Sequence, residues 1–315
     1  MQKNKIIIHF IVFTIAFFIA VQVHPDKHIF PNVSNVLPAV AVKEKNLREE
    51  IEEKKESYEE QPQDAYIDEV WKKTPGRNGR KVDVEKSLEK MKKENRFDES
   101  LLVYKNIKPK VSIEDLPPAP IYRGHPEKQM VSLLINVAWG TEHIPTILEI
   151  LEDQKVRANF FLDGKWAKEN MKMVKKIAEA GHVIGSHAYN HPDMAMLTED
   201  QMKENIEQTN NIIQSIIGHP PEWFAPPSGS FNDKVVEIAH QFDMETILWT
   251  VDTIDWKKPS VSVMINRVIS NIHPGAMILM HPTPSVANGL AELIDELKQK
   301  DYQIDAIDKL LDESR

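Results

Sequence analysis

The chain has 315 residues, 41% of them hydrophobic, with a net charge of −9 and no cysteine. Such a length forms one large domain or two smaller ones with a substantial core, and the acidic balance argues against a nucleic-acid partner. Without cysteine there are no disulfides and no thiolate ligands, so a metal site has to be built from His, Asp or Glu.

Lys3 and Lys5 precede a nearly continuous apolar run over 6–23. The run is long enough to span a bilayer. It ends Ala20-Val21-Gln22-Val23-His24 without a clear Ala-x-Ala cleavage site, which favours an uncleaved signal anchor over a signal peptide for 1–23. Lysines ahead of the run leave the remainder outside the cytoplasm, with the membrane as a partner through this segment. Residues 24–64 follow as a linker and charged stalk: prolines and small residues without helical period to 41, then a Glu/Lys-dominated run over 43–60 that suits a solvated helix or a flexible stalk.

Residues 65–120 are expected to form a small α+β accessory domain. Pro75-Gly76 and Asn78-Gly79 mark turns, Asp83 suits the cap of a helix reaching Lys93, and 101–104 suits a short strand. The phrase Thr74-Pro75-Gly76-Arg77-Asn78-Gly79 resembles short repeats of Gram-positive envelope proteins proposed to bind peptidoglycan; a plain spacer is the other reading. Pro117, Pro118 and Pro120 close the segment.

Beyond 130, apolar runs at 131–137, 158–162, 182–185, 223–225, 246–251 and 277–281 read as strands. Amphipathic stretches at 144–153, 166–180, 199–217, 233–242, 260–272 and 288–300 read as helices. Strand followed by helix, repeated, implies a parallel sheet with helices outside, doubly wound or closed as a barrel. Polar residues at the carboxyl ends of such strands gather on the active face.

Those ends carry the unusual residues. His187 and His191 follow the third strand, Ala225-Pro226-Pro227-Ser228-Gly229 the fourth, Asp252-Thr253-Ile254-Asp255-Trp256 the fifth and His281-Pro282 the sixth. Two histidines at i, i+4 can aim two ring nitrogens at one ion, but a catalytic zinc usually takes three protein ligands and a water. On spacing alone, half a metal site and two unrelated loop histidines are both open.

In order, spacing and context, these motifs resemble the polysaccharide deacetylases with a NodB homology domain, carbohydrate esterase family 4. The likeness covers about 129–305, and the preceding segments resemble its sporulation-associated members in Bacillus-type bacteria. The resemblance implies a distorted (β/α) barrel and removal of acetyl groups from N-acetylglucosamine or N-acetylmuramic acid residues of peptidoglycan or chitin-like polymers. It also implies a divalent metal, zinc foremost, held by one Asp and two His, with a second Asp as base and a His as acid. The ion polarises the carbonyl and acidifies its water while the carboxylate takes a proton.

Carried over residue by residue, His187 and His191 take the metal positions, His281 the acid and Asp255 its partner, and Ser228 offers a backbone N–H to the oxyanion. The first motif, normally Thr-Phe-Asp-Asp-Gly, aligns with Asn136-Val137-Ala138-Trp139-Gly140, so Ala138 holds the base position and Trp139 the metal-carboxylate position. The arginine that opens the third motif is replaced by Ala225. Ala138 and Ala225 are mutually consistent, because an arginine without its carboxylate is a costly buried cation. Trp139 and Trp256 are assigned to sugar binding, with simple rim packing the alternative for Trp139. Asp163, or Glu142 and His143, would be the substitute ligand or base if the site were rescued; otherwise Asp163 is a local turn carboxylate. His281 with Asp255 either retains proton chemistry or is a buried structural pair.

Loss of a general base costs about 10² to 10⁴ in rate, or roughly 3–5 kcal/mol. Loss of the metal removes several kcal/mol more, and one oxyanion donor, about 3–4 kcal/mol, does not replace both. The sequence therefore predicts an extracytoplasmic protein of the bacterial envelope that binds cell-wall polysaccharide with weak or absent conventional deacetylation. It is either a deacetylase with an altered site, holding a metal if that site is competent, or a metal-free binding or scaffolding module.

Overall fold

The computed structural model describes residues 46–315. The apolar run at 6–23, and with it the expected anchor, lies outside the described residues, and among the described residues no helix is long and apolar enough to cross a membrane. The chain divides into residues 1–50 and 51–315. The first is described only at 46–50, within the helix Leu47–Lys54; the second holds every other element.

After a 3₁₀ turn at Lys55–Ser57, two small antiparallel ladders form: β1 (Tyr66–Asp68) with β2 (Lys72–Thr74), and β3 (Gly79–Val82) with β4 (Tyr104–Ile107). Asp83 caps the helix Val84–Met91 by accepting from Lys86 N, as its sequence position suggests. The strand expected at 101–104 begins only at Tyr104, because Asp98 first caps a 3₁₀ turn at Glu99–Leu101. Lys73, 1% exposed, ties this region to the rest through a 2.6 Å ion pair with Glu245.

The large sheet is parallel throughout, in the order β10-β11-β5-β6-β7-β8-β9. Its strands are β5 (Met130–Val137), β6 (Asn159–Leu162), β7 (Val183–Ser186), β8 (Trp223–Phe224), β9 (Glu245–Thr246), β10 (Val251–Asp252) and β11 (Met277–Met280), with β12 (Gln303–Ile304) pairing β5. The two ends of this order, β9 and β10, are joined by residues 247–250, so the sheet must curl. Ile121 lies in the seam, donating its N–H to Thr246 O (2.8 Å) and accepting from Leu248 N (2.8 Å). The result is the curled, open-barrel parallel sheet of the NodB type. The single strand expected over 246–251 is corrected to two short ones: Ile247 still donates to Phe224 O at 2.7 Å and bridges Ile121, and the ladder resumes only at Val251.

Both faces of the strands are buried, which is why they read as continuous apolar runs rather than alternating ones. On β5, Val131, Leu133, Ile135 and Val137 meet the outer helices, while Leu134 faces the lumen with Phe161, Ala225, Ile247 and Met277. The helix Ile307–Leu311 packs into that inner cluster. The helix expected over 166–180 is two, Gly164–Glu169 and Met171–Glu179, broken at Asn170 where ψ reaches 35°. The last long helix begins earlier than expected, at Pro284, because Thr283 caps it and proline is tolerated in a first turn.

Candidate functional site

A cavity of about 390 Å³ opens at the carboxyl ends of β5, β7, β8, β10 and β11, with Asn136, Ala138, Trp139, His187, His191, Ser228, Trp249, Asp252, Trp256, Leu279 and His281 on its walls. The sequence-assigned residues therefore converge, apart from Asp163 and Asp255, which stand behind the walls.

His187 continues β7, its N–H donating to Leu162 O at 2.9 Å. Its Nδ1 lies 2.7 Å from Ala225 O. A carbonyl only accepts, so Nδ1 carries the proton and Nε2 keeps its lone pair. Burial, reinforced by the neighbouring His191, pushes the imidazole pKa down to about 3, so the ring is neutral. The rings of His187 and His191 stand 5.2 Å apart at 66°. Between them the backbone is left-handed at three non-glycine residues, Ala188 (φ 56°), Asn190 (φ 62°) and His191 (φ 51°). Each such residue costs on the order of 1 kcal/mol, strain of the kind concentrated at functional sites.

Asp163 holds that loop. Its Oδ1 accepts from Trp166 N at 2.9 Å as a helix cap, and its Oδ2 accepts from His191 N at 2.8 Å. Both oxygens are on backbone N–H groups, one local as a helix cap and one 28 residues away at His191. Glu142 and His143 approach only each other, at 3.7 Å. Among the described residues, no three His, Asp or Glu side chains gather where they could hold a metal ion. His187 and His191, with no third His, Asp or Glu gathered beside them among the described residues, do not fit a catalytic zinc.

Trp139 occupies the third side of the site. Gly140 adopts φ 76°, and a Cβ there would collide with Pro282 O, so only glycine lets the 139–140 turn press against residues 281–282. The indole consequently lies on His281, with ring centroids 5.9 Å apart and planes within 9°. It remains 47% exposed, and Trp256 is 52% exposed, with Lys257 Nζ 4.8 Å from the centre of its ring.

His281 is anchored by Asp255, which is fully buried. Asp255 Oδ1 accepts from His281 Nδ1 and Thr253 Oγ1, both at 2.9 Å, and Oδ2 accepts from His281 N (3.0 Å) and Thr283 Oγ1 (2.9 Å). The carboxylate is thus saturated, which keeps it in place without an arginine or lysine. Ser228 sits in the left-handed region (φ 56°, ψ 14°). The hydrogen bonds of its turn run from Gly229 N and Ser230 N to Pro226 O and Pro227 O, leaving the Ser228 N–H out of them. Ala225 is 2% exposed within the inner apolar cluster, where a guanidinium would find no carboxylate at Ala138.

Sequence reasoning gave no role to Trp249, Asp252, Thr253 or Thr283. Trp249 and Asp252 line the cavity, and Thr253 and Thr283 saturate Asp255 from within its own two motifs. Asn136 was read only as the start of the degenerate first motif. The signal available was strand alternation, which puts Asn136 on the same face of β5 as Leu134 and Ala138.

The sequence profile described as polysaccharide deacetylase matches residues 123–247, and one described as a putative peptidoglycan binding domain matches residues 20–99. The uncharacterized protein YlxY of Bacillus subtilis is 46% identical over 314 residues, covering 99% of this chain and 98% of its own length. The chain belongs to the polysaccharide deacetylase family. A second relative in this family, a peptidoglycan-N-acetylglucosamine deacetylase of Bacillus cereus, is 35% identical over 57% of this chain and 67% of its own. Among solved structures, the family 4 carbohydrate esterase pseudoenzyme BA3943 of Bacillus anthracis is 51% identical, with TM-score 0.82 over 86% of this chain and 96% of that one. A mutant of that pseudoenzyme described as having restored enzymatic activity is 50% identical, with TM-score 0.83 over 86% of this chain and 99% of that one. Family members are in general metal-dependent. In this chain the cavity wall carries the His187/His191 pair and the His281 that Asp255 anchors, with Ala138 and Trp139 at the end of β5.

Proposed function

We propose that this deacetylase homologue has lost turnover and acts as a glycan-binding module of the bacterial envelope. Trp139 carries the reading: it stands in the sequence position of the metal carboxylate and lies flat on the imidazole that would deliver the proton. His187 and His191 remain as two polar groups on the cleft wall, too few for a catalytic zinc. With Ala138 in the base position, nothing on the first motif can take a proton from water. The existence of a 51% identical pseudoenzyme supports the same conclusion.

The ligand we assign is N-acetylated cell-wall polysaccharide, peptidoglycan or a chitin-like chain, with Trp139 and Trp256 as faces for sugar rings. Support comes from the peptidoglycan-N-acetylglucosamine deacetylase among the relatives and from the putative peptidoglycan binding profile over residues 20–99. The apolar run at 6–23 would hold the protein at the outer face of the membrane if uncleaved, or release it if cleaved.

The intact His281–Asp255 pair favours a second reading, an altered-site deacetylase in which His281 still delivers a proton. One experiment separates the two. The full chain is incubated with N-acetylglucosamine oligomers and with peptidoglycan, while acetate release, glycan binding and bound zinc are measured. Binding without acetate and without stoichiometric zinc is expected; turnover by the unmodified chain sinks the proposal. In the triple variant Ala138→Asp, Trp139→Asp, Ala225→Arg, zinc binding and acetate release should both appear.

A further inference from the structure

We infer that the cleft takes a glycan residue whose acetyl group has already been removed, with Asp252 holding its ammonium among the indoles of the wall. The inference rests on the glycan-binding reading of this cleft and narrows it to a partially de-N-acetylated chain, recognised at the amine.

Asp252 closes β10 opposite Leu279 of β11, and the alternation that turns Val251 to the outer helices turns Asp252 to the lumen. Its Oδ1 accepts from Ile254 N at 2.8 Å and so shapes the turn in which Ile254 is left-handed (φ 50°, ψ 32°). That structural duty occupies one oxygen. Oδ2 has no hydrogen bond or ion pair among the described residues, and the side chain, only partly buried, is on the cavity wall. Among the described residues Asp252 is the one carboxylate on that wall, and no lysine or arginine shares it. Asp163 and Asp255 stand behind the wall with both oxygens of each taken. A partly desolvated carboxylate with an open oxygen attracts a cation more strongly than one in bulk water.

Two observations decide which cation. Among the described residues no three His, Asp or Glu side chains gather closely enough to hold an ion, so Asp252 does not complete a metal site with His187 and His191. The remaining wall suits an ammonium carried on a sugar: Trp139, Trp249 and Trp256 bring indoles, whose rings attract ammonium groups and pack against apolar sugar surface. Trp256 already has such a contact with Lys257, whose Nζ stands 4.8 Å from the ring centre. An ammonium carries three N–H donors. One serves Asp252 Oδ2, and a cavity of about 390 Å³ leaves room for water on the others. An acetylated residue brings the same carboxylate a single neutral N–H, and a charge-assisted bond is about twice as strong as a neutral one. The wall therefore favours the amine. The class of reaction that supplies this ligand is hydrolysis of the glycan's acetamide, which releases acetate and leaves the amine on the sugar. This protein would thus follow an N-deacetylating enzyme along the same chain, occupying the residues that enzyme has finished with.

The test uses the full chain labelled with 5-fluorotryptophan, with the Trp139, Trp249 and Trp256 fluorine resonances assigned by Trp→Phe substitution. These resonances report the cleft, independent of any glycan contact elsewhere in the chain. They are followed, with a chelator present and at a mildly acidic pH that keeps a sugar amine protonated, during titration with the pentamer of N-acetylglucosamine and, separately, the same pentamer with its central acetyl group removed. The de-N-acetylated oligomer should saturate the shift at a concentration about tenfold lower, the gap between a charge-assisted and a neutral hydrogen bond. Added salt should narrow that gap. Asp252→Asn keeps an oxygen for Ile254 N and removes the charge, so it should erase the preference while changing the acetylated titration far less. Diffuse attraction to a chain of net charge −9 would persist in that variant. If Asp252→Asn does not fold, Asp252→Ser, whose hydroxyl can also accept from Ile254 N, serves in its place. Equal saturation, or a preference for the acetylated oligomer, overturns the inference while leaving glycan binding intact. Absence of any shift with either oligomer overturns the glycan-binding reading and the inference with it. A preference that survives in the folded variant removes Asp252 from the role. Zinc or magnesium alone, added in place of the chelator, overturns the inference if it moves the same resonances in the parent and not in Asp252→Asn, because the cation is then a metal.

Discussion

Asp255→Ala tests whether the retained acid pair is held as rigidly as the geometry states. The carboxylate is fully buried and accepts from His281 Nδ1, His281 N, Thr253 Oγ1 and Thr283 Oγ1 at 2.9–3.0 Å. Truncation leaves those donors facing a void. Thr253 Oγ1 has an alternative acceptor in Leu279 O at 2.9 Å and can turn to it; the His281 backbone N–H cannot turn. Counting the donors that stay stranded, and the lost charge-assisted bond to the imidazole, gives roughly 3–5 kcal/mol of destabilisation. In a unit of this size that lowers the Tm by about 6–15 °C. Asp255→Asn keeps the volume but turns one oxygen into a donor facing donors, so it should lose a comparable amount, which distinguishes a saturated acceptor from a packing role. The assay is a circular-dichroism melt of the parent and both variants. If both variants fold and melt within about 2 °C of the parent, the carboxylate is not the saturated buried anchor described.

Acid should destabilise the protein through its buried histidines. Burial lowers His187 to about 3 and His125 and His182 to about 4, from 6.5. The unfolded chain therefore binds more protons below the ordinary histidine pKa; their contribution is complete above about 6.5 and is lost as pH falls toward 4 and then 3. The Tm should drop across that window beyond what carboxylate protonation produces, and His187→Gln should flatten part of the slope; a parallel pH profile in that variant would contradict the assignment. Gly140→Ala places a Cβ against Pro282 O at φ 76°, and should cost about 2 kcal/mol or more while detaching Trp139 from His281, visible as a change in tryptophan emission. Lys73→Ala strands Glu245 and leaves a void, for a loss of roughly 2–4 kcal/mol by thermal melt, whereas Lys73→Met with Glu245→Gln should recover most of it.

The order of the strands and helices beyond 130 was legible because each depends on neighbours along the chain. A run such as 131–137 is apolar throughout because both of its faces are covered, and caps such as Asp83 act within three residues. The placement of motifs at successive strand ends likewise brought His187, His191, Ser228, Trp139, Trp256 and His281 to a single cavity, as expected of strand ends in a parallel curl. Elements whose bounds depend on remote partners were not legible. The break between β9 and β10 falls where Ile121 bridges Ile247 in the seam, and β12 exists only because it pairs with β5.

The sequence alone determined that Ala138 and Trp139, neither of them a carboxylate, follow β5, since that is a matter of residue identity. Tertiary structure decided what surrounds them. Asp163 is turned to the His191 and Trp166 backbone, Gly140 lets Trp139 lie on His281, and Asn136 keeps a buried oxygen without a partner. Each of these depends on contacts between segments far apart in the chain, and hydrogen-bond saturation, close approach and exposure have no local signature that a linear pattern can carry.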